Sequence, residues 1–387
     1  MRTIYLDYNA TTPLDDAVRE AMLPALEALW GNPSSVHHLG QAARVRLDDA
    51  RDRIAATLLC KPSELIFTSG GTESANHAIL GAARLRREKG RHIITSQIEH
   101  HAVLHPCEYL ANKEGFEVTF LPPSPSGHIS LEQVHEAIRP DTILVSIMAA
   151  NNEVGTIQPF AEIGELCADK GVLFHTDAVQ VFGKLPNLSL PFFNADLISL
   201  CGHKIHGPKG AGLLYAKSPL QLPPLLHGGS HENERRPGTE NLAGILGLAE
   251  SIVQFVPFPP FAAPSIASMV ENLRSCLSSI EGVNLLGTGE ILPNTTSFIV
   301  KDSDSIALLS ALDLEGLCSS SGSACSSGSV NPSHVVEAMG FSSEEANSLV
   351  RFSLGRENSP EQIDFAVSVL PRVIGQCRSA DVAVNEV

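Results

Sequence analysis

The sequence predicts an α/β fold with two domains, the first of which is built on a largely parallel sheet. At 387 residues, the chain is longer than the roughly 250–300 residues at which a single core stops growing. Strand-like and helix-like segments alternate through its first half, as they do in parallel sheets. Short apolar runs such as residues 143–148 suit strands that are buried on both faces.

The spacing of apolar residues and the turn residues between them place the individual elements. The glycine, asparagine and proline at 31–33, for example, end the first helix. Helices are predicted over residues 15–30, 41–59, 73–87, 131–138 and 160–170. Strands are predicted over residues 3–6, 64–68, 92–95, 117–121, 142–148, 172–175, 196–200 and 212–215.

A proline-rich stretch at residues 256–260 indicates a domain boundary. Residues 16–255 are predicted to form the large domain. Residues 1–15 and 256–387 are predicted to form the smaller α+β domain, which carries the Ser/Gly-rich loop around Cys325.

Composition argues against several classes of function. The chain carries 27 basic and 43 acidic residues, a net charge of −16, which disfavours nucleic-acid binding as its main role. Its eight cysteines show neither the spacing of a disulfide framework nor that of metal ligands. The first residues lack the apolar core of a secretory signal, and no apolar run reaches the ~18 residues of a membrane span. We therefore expect a cytoplasmic protein that binds no membrane and no metal.

Two segments combine glycines with groups suited to a phosphorylated ligand. Ser69-Gly70-Gly71-Thr72 lies between a strand and a helix, where free N–H groups and a hydroxyl make an anion cradle. Lys204 follows a buried strand and precedes a glycine-rich turn, where desolvation makes an amine nucleophilic. Taken alone, the first segment is better explained as an ordinary turn between a strand and a helix. A lysine in a loop usually lies at the surface, but the long motif around Lys204 argues against that interpretation.

Two further side chains suggest an acid and a nucleophile. Asp177 ends a buried strand, where open α/β sheets place ligand groups, and a buried acid needs a cation or hydrogen-bond donors. A helix-capping role is about as consistent with its position. Cys325 lies in a polar loop, whereas structural cysteines prefer apolar surroundings. An incidental surface thiol remains the alternative.

Together these segments resemble the cysteine desulfurases of the NifS/IscS type, first group. These enzymes belong to the class-V aminotransferase branch of the fold-type I pyridoxal-phosphate enzymes. The resemblance extends from residues 5–13 to residues 351–356 and therefore covers nearly the whole chain. It implies a seven-stranded, mostly parallel sheet and conversion of L-cysteine to L-alanine. It also implies a persulfide on Cys325 that supplies iron–sulfur cluster assembly or thiolation of tRNA or cofactors.

The resemblance also assigns roles to individual residues. Lys204 corresponds to the Schiff-base lysine, Cys325 to the sulfur-accepting cysteine and His100 to the histidine that stacks on the cofactor ring. Arg351 corresponds to the arginine that grips the substrate carboxylate, and Asn32 lies in a segment that lines the active site. The remaining cofactor-binding positions are Gly71, Thr72, Asn152, Asp177, Gln180, Cys201, His203 and Thr239.

The resemblance has further implications and two departures. Thr239 corresponds to a threonine that reaches the partner subunit's phosphate, which implies a homodimer. The sulfur would pass to an acceptor or iron–sulfur scaffold protein. Cys201 stands where the family often has a phosphate-binding serine, and a thiol is a weaker donor. Residues 230, 233 and 234 also depart from the family's usual glycine, arginine and glycine.

Other functions remain open on the sequence alone. A selenocysteine lyase on the same scaffold would need no essential cysteine. An aminotransferase would have no use for a loop thiol. A catalytically silent scaffold for sulfur-trafficking partners would not need the set Lys204, Asp177, His100, Cys325 and Arg351.

Overall fold

The computed structural model describes residues 3–322 and 331–384, with side chains as far as residue 378. The strands are β1 Ile4–Tyr5, β2 Leu65–Thr68, β3 His92–Ser96, β4 Glu117–Leu121, β5 Thr142–Ser146, β6 Leu173–Asp177, β7 Leu197–Cys201, β8 Gly212–Ala216, β9 Val283–Leu286, β10 Thr295–Val300, β11 Leu317–Cys318 and β12 Val350–Ser353. The helices are α1 Asp16–Glu27, α2 His38–Leu58, α3 Gly71–Arg86, α4 His101–Lys113, α5 Leu131–Ala137, α6 Phe160–Lys170, α7 Leu242–Phe255, α8 Pro264–Ser278, α9 Ser305–Leu314, α10 His334–Ala338, α11 Ser343–Ala346 and α12 Pro360–Val384.

The large sheet has seven strands in the order β2-β8-β7-β6-β5-β3-β4. Strands β7, β6, β5, β3 and β4 pair in parallel, whereas β8 is antiparallel to both of its neighbours. This arrangement confirms the predicted α/β fold and its mostly parallel seven-stranded sheet. The carboxyl ends of β5, β6 and β7 therefore lie side by side at one edge, where open α/β sheets bind ligands.

Apolar clusters cover both faces of this sheet. Along the central strands, neighbouring residues belong to opposite clusters, because successive side chains of a strand point to opposite faces. Leu144 and Leu173 pack on one face with α3 and α4, and Val145 and Phe174 pack on the other with α6. Strands β5, β6 and β7 are buried throughout, which explains why β5 and β7 are largely apolar.

A separate apolar cluster joins the beginning of the chain to its end. The antiparallel sheet β12-β10-β9 packs against α8 and α12. Strand β1 pairs in parallel with β11 and adds Ile4 and Leu6 to this cluster. The first residues therefore pair with a strand that comes about 300 positions later in the sequence, and they lie beside β12, which carries Arg351.

Phe298 provides a test of this second cluster. Its side chain is fully buried and its ring centroid lies 5.4 Å from that of Phe352. We expect Phe298→Ala to lower the free energy of unfolding of this cluster by about 3–5 kcal/mol, because it leaves a cavity that the surroundings fill only partly. Denaturant titration measures the change. Phe258→Ala is the matched control, since that ring is 80% exposed, and an equal loss there would contradict the assignment.

One helical stretch, Leu242–Ser278, is long and apolar enough by length and composition to cross a membrane. It comprises α7 and α8, which a proline-containing turn separates, and 61% of its apolar window is buried inside the fold. Helix α7 packs on α1 and α2. Its apolarity is therefore explained by core packing.

Candidate active site

A cavity of about 220 Å³ opens at the carboxyl edge of the large sheet. Residues that follow β5, β6 and β7 form its floor, and residues from the chain start and from β12 close it on the other side. Its walls include Asn9, Ala10, Gly71, Thr72, His100, His101, Met148, Asn152, Glu153, Asp177, Gln180, Cys201, His203, Lys204, Gly322, His334 and Arg351.

Lys204 lies in a single 3₁₀ turn, Gly202–Lys204, directly after β7. The turn aims its side chain back across the sheet edge. Its Nζ donates to the backbone oxygens of Asn9 at 2.6 Å and of Ala10 at 2.7 Å. An amine held by two carbonyls inside a cavity is positioned to bond covalently to a bound carbonyl compound.

Asp177 ends β6 and is buried at the cavity floor. Burial raises the pKa of this carboxyl to about 6, while a hydrogen bond from the Val179 N–H, at 3.0 Å, and the charge of Lys204 oppose the rise. A buried acid with so little compensation is suited to pair with a cation on a ligand. A protonated ring nitrogen would be such a cation.

The start of α3 is the position at which the sequence predicts an anion cradle. A Cβ atom at Gly71 would lie 2.8 Å from the Val179 side chain, so only glycine allows the helix to begin this close to the loop after β6. Cys201 lies beside this helix start, and burial raises the pKa of its thiol to about 11, so it remains a neutral, weak donor at neutral pH. His203 contacts Thr11 through Nδ1 at 3.2 Å.

His100 caps the start of α4 and faces the cavity. Its Nδ1 accepts a hydrogen bond from the Ala102 N–H at 3.0 Å, which places the proton of the neutral ring on Nε2. Burial, followed by the charge of Lys204, lowers the pKa of His100 to about 4. The ring is therefore neutral at physiological pH, and its Nε2 is a donor.

Arg351 is the largest fully buried side chain. Its Nη2 donates to Asp7 Oδ1 at 2.6 Å, and its Nη1 donates to the backbone oxygens of Asn152 at 2.6 Å and Gly322 at 3.1 Å. Its Nε has no partner among the described residues. A buried donor without a partner at a cavity wall is suited to receive a ligand carboxylate.

Glu99 lies behind His100, and its carboxyl is completely enclosed. Oε1 accepts from Ser96 Oγ at 2.6 Å and from the Met148 N–H at 3.0 Å, whereas Oε2 has no partner within the described part of the chain. Burial raises the pKa of this group to about 8. The folded protein therefore holds a proton here that the unfolded chain, with a carboxyl pKa of 4.5, has released at neutral pH.

This proton makes stability depend on pH. Between pH 5 and pH 7.5 the folded state binds more protons than the unfolded state, so the free energy of unfolding falls as pH rises, by up to about 1.4 kcal/mol per unit. Glu99→Gln removes this contribution. We expect the variant to gain about 2–3 kcal/mol relative to the parent over this range, as measured by denaturant titration at several pH values. A difference that is independent of pH would mean that Glu99 is ionised in the fold.

The structure brings most of the sequence-predicted residues to one cavity. Lys204, His100 and Arg351 line it, together with the predicted cofactor-binding residues Gly71, Thr72, Asn152, Asp177, Gln180, Cys201 and His203. Thr239 lines a different cavity, of about 260 Å³, and Asn32 lies in neither. Cys325 lies outside the described residues. The structure therefore places ten of the predicted residues together, while the roles assigned to all of the predicted residues, including Asn32, Thr239 and Cys325, remain predictions.

Sequence reasoning missed several residues of the site. Asn9 and Ala10 hold the Lys204 amine, and Asp7 pairs with Arg351. All three lie in the opening segment, whose sequence contributes to the resemblance without indicating a role for them. Glu153 accepts a hydrogen bond from Ser333 Oγ, and no sequence signal points to that pairing.

The fold and the cavity together define an α/β protein of the class that binds its ligand at the carboxyl edge of a mostly parallel sheet. Comparison with known proteins narrows the class. The Aminotransferase class-V family matches residues 4–365. The chain is 44% identical over 380 residues to "Cysteine desulfurase IscS" of Dictyoglomus turgidum, with 98% of this chain and 96% of the relative covered.

Two solved structures share the architecture. One, described as "NIFS-LIKE PROTEIN", has a TM-score of 0.89 and 36% identity, and covers 97% of this chain and 100% of its own. The other, "SspA in complex with cysteine", has a TM-score of 0.81 and 37% identity, and the match covers 92% of this chain and 100% of the solved chain. The chain belongs to the class-V aminotransferase family and, within it, to the IscS/NifS-type cysteine desulfurases. These relatives do not favour the selenocysteine lyase or silent-scaffold alternatives.

Proposed function

We propose that this protein is a pyridoxal-phosphate-dependent cysteine desulfurase that converts L-cysteine to L-alanine and accepts the sulfur on Cys325. One observation carries the proposal. An amine, a buried acid and a buried guanidinium, those of Lys204, Asp177 and Arg351, meet in a cavity whose wall includes Gly322. Gly322 precedes Cys325 by three residues.

The residues present fit pyridoxal phosphate. Lys204 would hold its aldehyde, Asp177 its ring nitrogen and the start of α3 its phosphate, while His100 would lie against the ring. The raised pKa of the buried Asp177 carboxyl is the feature that such a ligand explains, since the ring nitrogen would supply a cation beside it. When bound, the cofactor supplies an electron sink at the carbon that bears the substrate amine.

Arg351 would bind the carboxylate of cysteine. Its Nε is available, and Nη1 would exchange a backbone carbonyl for the stronger, charged acceptor. Lys204 would also serve as the base for the proton on the substrate Cα. The Asn9 and Ala10 carbonyls would retain its amine within the cavity.

Cys325 is the thiol to which we assign sulfur acceptance, and it follows the cavity-wall residue Gly322 by three positions in the sequence. In the reaction, the Cys325 thiolate attacks the substrate sulfur. An S–S bond forms, the S–Cβ bond breaks with its electron pair going to carbon, and protons complete alanine. His100, with its proton on Nε2, can donate one of them.

Mass spectrometry after incubation with L-cysteine tests the proposal. The Cys325 peptide should gain one sulfur, and alanine should appear in solution. L-Selenocysteine, supplied in parallel, tests the competing lyase activity. Alanine production without any persulfide on the peptide would remove the assigned acceptor. A protein that cannot be loaded with pyridoxal phosphate would remove the whole proposal.

We further propose a homodimer in which Thr239 completes the partner subunit's phosphate site. Thr239 lines a cavity whose walls do not include Lys204. This supports a role for Thr239 in the partner subunit's phosphate site. We also propose the domain division 16–255 against 1–15 with 256–387, which the separate apolar clusters support. An acceptor or iron–sulfur scaffold protein would take the sulfur, in the cytoplasm.

A further inference from the structure

Lys184 is a fully buried lysine for which the proposed reaction has no use. It lies in the turn after β6, and no carboxylate of the described residues forms an ion pair with it. Asp7, a carboxylate whose charge acts on Lys184, is engaged by Arg351. Burial of an ammonium without an acidic partner is costly, so the position calls for an explanation.

The Lys184 amine donates hydrogen bonds to the oxygens of two side-chain amides. Its Nζ donates to Asn9 Oδ1 at 2.6 Å and to Gln180 Oε1. Burial, followed by the charges of Lys204 and Arg351, moves the pKa of this amine well below its usual value. The amine has an N–H donor for each of the two acceptors, and its Nζ lies 5.7 Å from the centroid of the Phe261 ring.

These bonds determine which way the Gln180 amide is turned. Because Oε1 accepts from Lys184, the NH₂ group of Gln180 must occupy the other side. One of its N–H groups donates to the backbone oxygen of Asn9 at 3.0 Å. That same oxygen accepts from Lys204 Nζ, so the Gln180 NH₂ group lies beside the Lys204 amine. Its second N–H is left for a ligand in the cavity that Gln180 lines.

We propose that Lys184 is a positioning residue that holds the Gln180 amide with its N–H side towards the cofactor. The inference rests on the proposed function. In pyridoxal the ring hydroxyl is adjacent to the aldehyde, so a donor beside the Lys204 amine faces that oxygen. Lys184 touches neither cofactor nor substrate and acts through Gln180 and Asn9 alone.

A double-mutant cycle on the pyridoxal-phosphate-loaded enzyme tests this role. The variants are Lys184→Met, which keeps the chain length and removes the donors, Gln180→Leu, and the two combined. The readout is the pH midpoint at which the visible absorption of the bound cofactor changes. Lys184→Met should shift it by about 0.4–1 pH unit, the size of one lost hydrogen bond, in the same direction as Gln180→Leu. The combined variant should match Gln180→Leu alone.

Kinetics add a second readout. Lys184→Met should lower kcat for L-cysteine and leave KM within about twofold, because Arg351 is untouched. Lys170→Met, at an exposed lysine, is the control and should change neither quantity. Should Lys184→Met fail to fold, as judged by thermal melting, Lys184→Gln retains a donor and should give a smaller shift in the same direction.

The outcomes separate the two proposals. A parent enzyme that takes up no pyridoxal phosphate refutes the proposed function. A parent enzyme with a normal spectrum, combined with a Lys184 variant whose pH midpoint is unchanged while Gln180→Leu shifts it, refutes the role of Lys184 alone. Additive shifts in the combined variant refute it as well, because they would show that Lys184 acts independently of Gln180.

Discussion

Replacing Lys204 with alanine is expected to abolish the visible absorption of the loaded enzyme and to lower desulfuration at least about 10³-fold. The variant loses both the amine that bonds the cofactor and the base for the proton on the substrate Cα. Absorption spectroscopy after reconstitution and an alanine assay measure the two effects. The fold should persist, because Lys204 lies at the wall of the cavity rather than inside an apolar cluster.

Lys209→Ala is the matched control for this prediction. Lys209 lies five residues further along the same loop and is exposed. It should keep both the absorption and the activity. Normal absorption in the Lys204 variant would show that another amine, such as that of Lys184, bonds the cofactor.

Replacing Cys325 with serine should separate cofactor binding from sulfur transfer. We expect the absorption of the loaded enzyme to be unchanged, since none of the cofactor-facing groups is altered. We expect the persulfide to be absent and kcat/KM for L-cysteine to fall at least about 10³-fold, because the hydroxyl is a far weaker nucleophile than a thiolate.

Cys318→Ser controls for the loss of any nearby thiol. Cys318 lies on β11, seven residues before Cys325, and its Sγ lies 3.9 Å from Asp313 Oδ1. It should retain activity and the persulfide. If the Cys325 variant still released alanine at the parent rate, sulfur would leave by a route that needs no acceptor thiol there.

The sequence predicts the strands of the central sheet well, but it misplaces the start of α2 and does not predict α4. The reason is the kind of residue that caps these two helices. Strands β5 and β7 are recognisable because burial on both faces makes them largely apolar. Helices α2 and α4 begin at histidine caps, His37 and His100, rather than at the Ser, Thr, Asp or Asn that usually mark a start. The start of α2 was therefore placed three residues late, and α4 was not predicted.

The residues of the site also divide into those that the sequence predicts and those that it does not. Lys204 and Asp177 could be suspected from their positions at strand ends, where parallel sheets collect ligand groups. The pairing of Arg351 with Asp7 could not, since it depends on β12 and the chain start meeting across 344 positions. The sequence also gives no indication that Glu99 and Lys184 matter to the site. Their importance comes from enclosure, which a single sequence does not reveal.

The long-range pairing of the chain start with β11 and β12 has a consequence for assembly. Asp7 and Asn9 reach Arg351 and Lys204 only after the C-terminal strands provide the surface on which the first residues settle. In a nascent chain that lacks those strands, the cavity around Lys204 is therefore incomplete, even when the central sheet has formed. Uptake of the coenzyme should accordingly report the last step of maturation, and fragments that end before residue 350 should remain colourless.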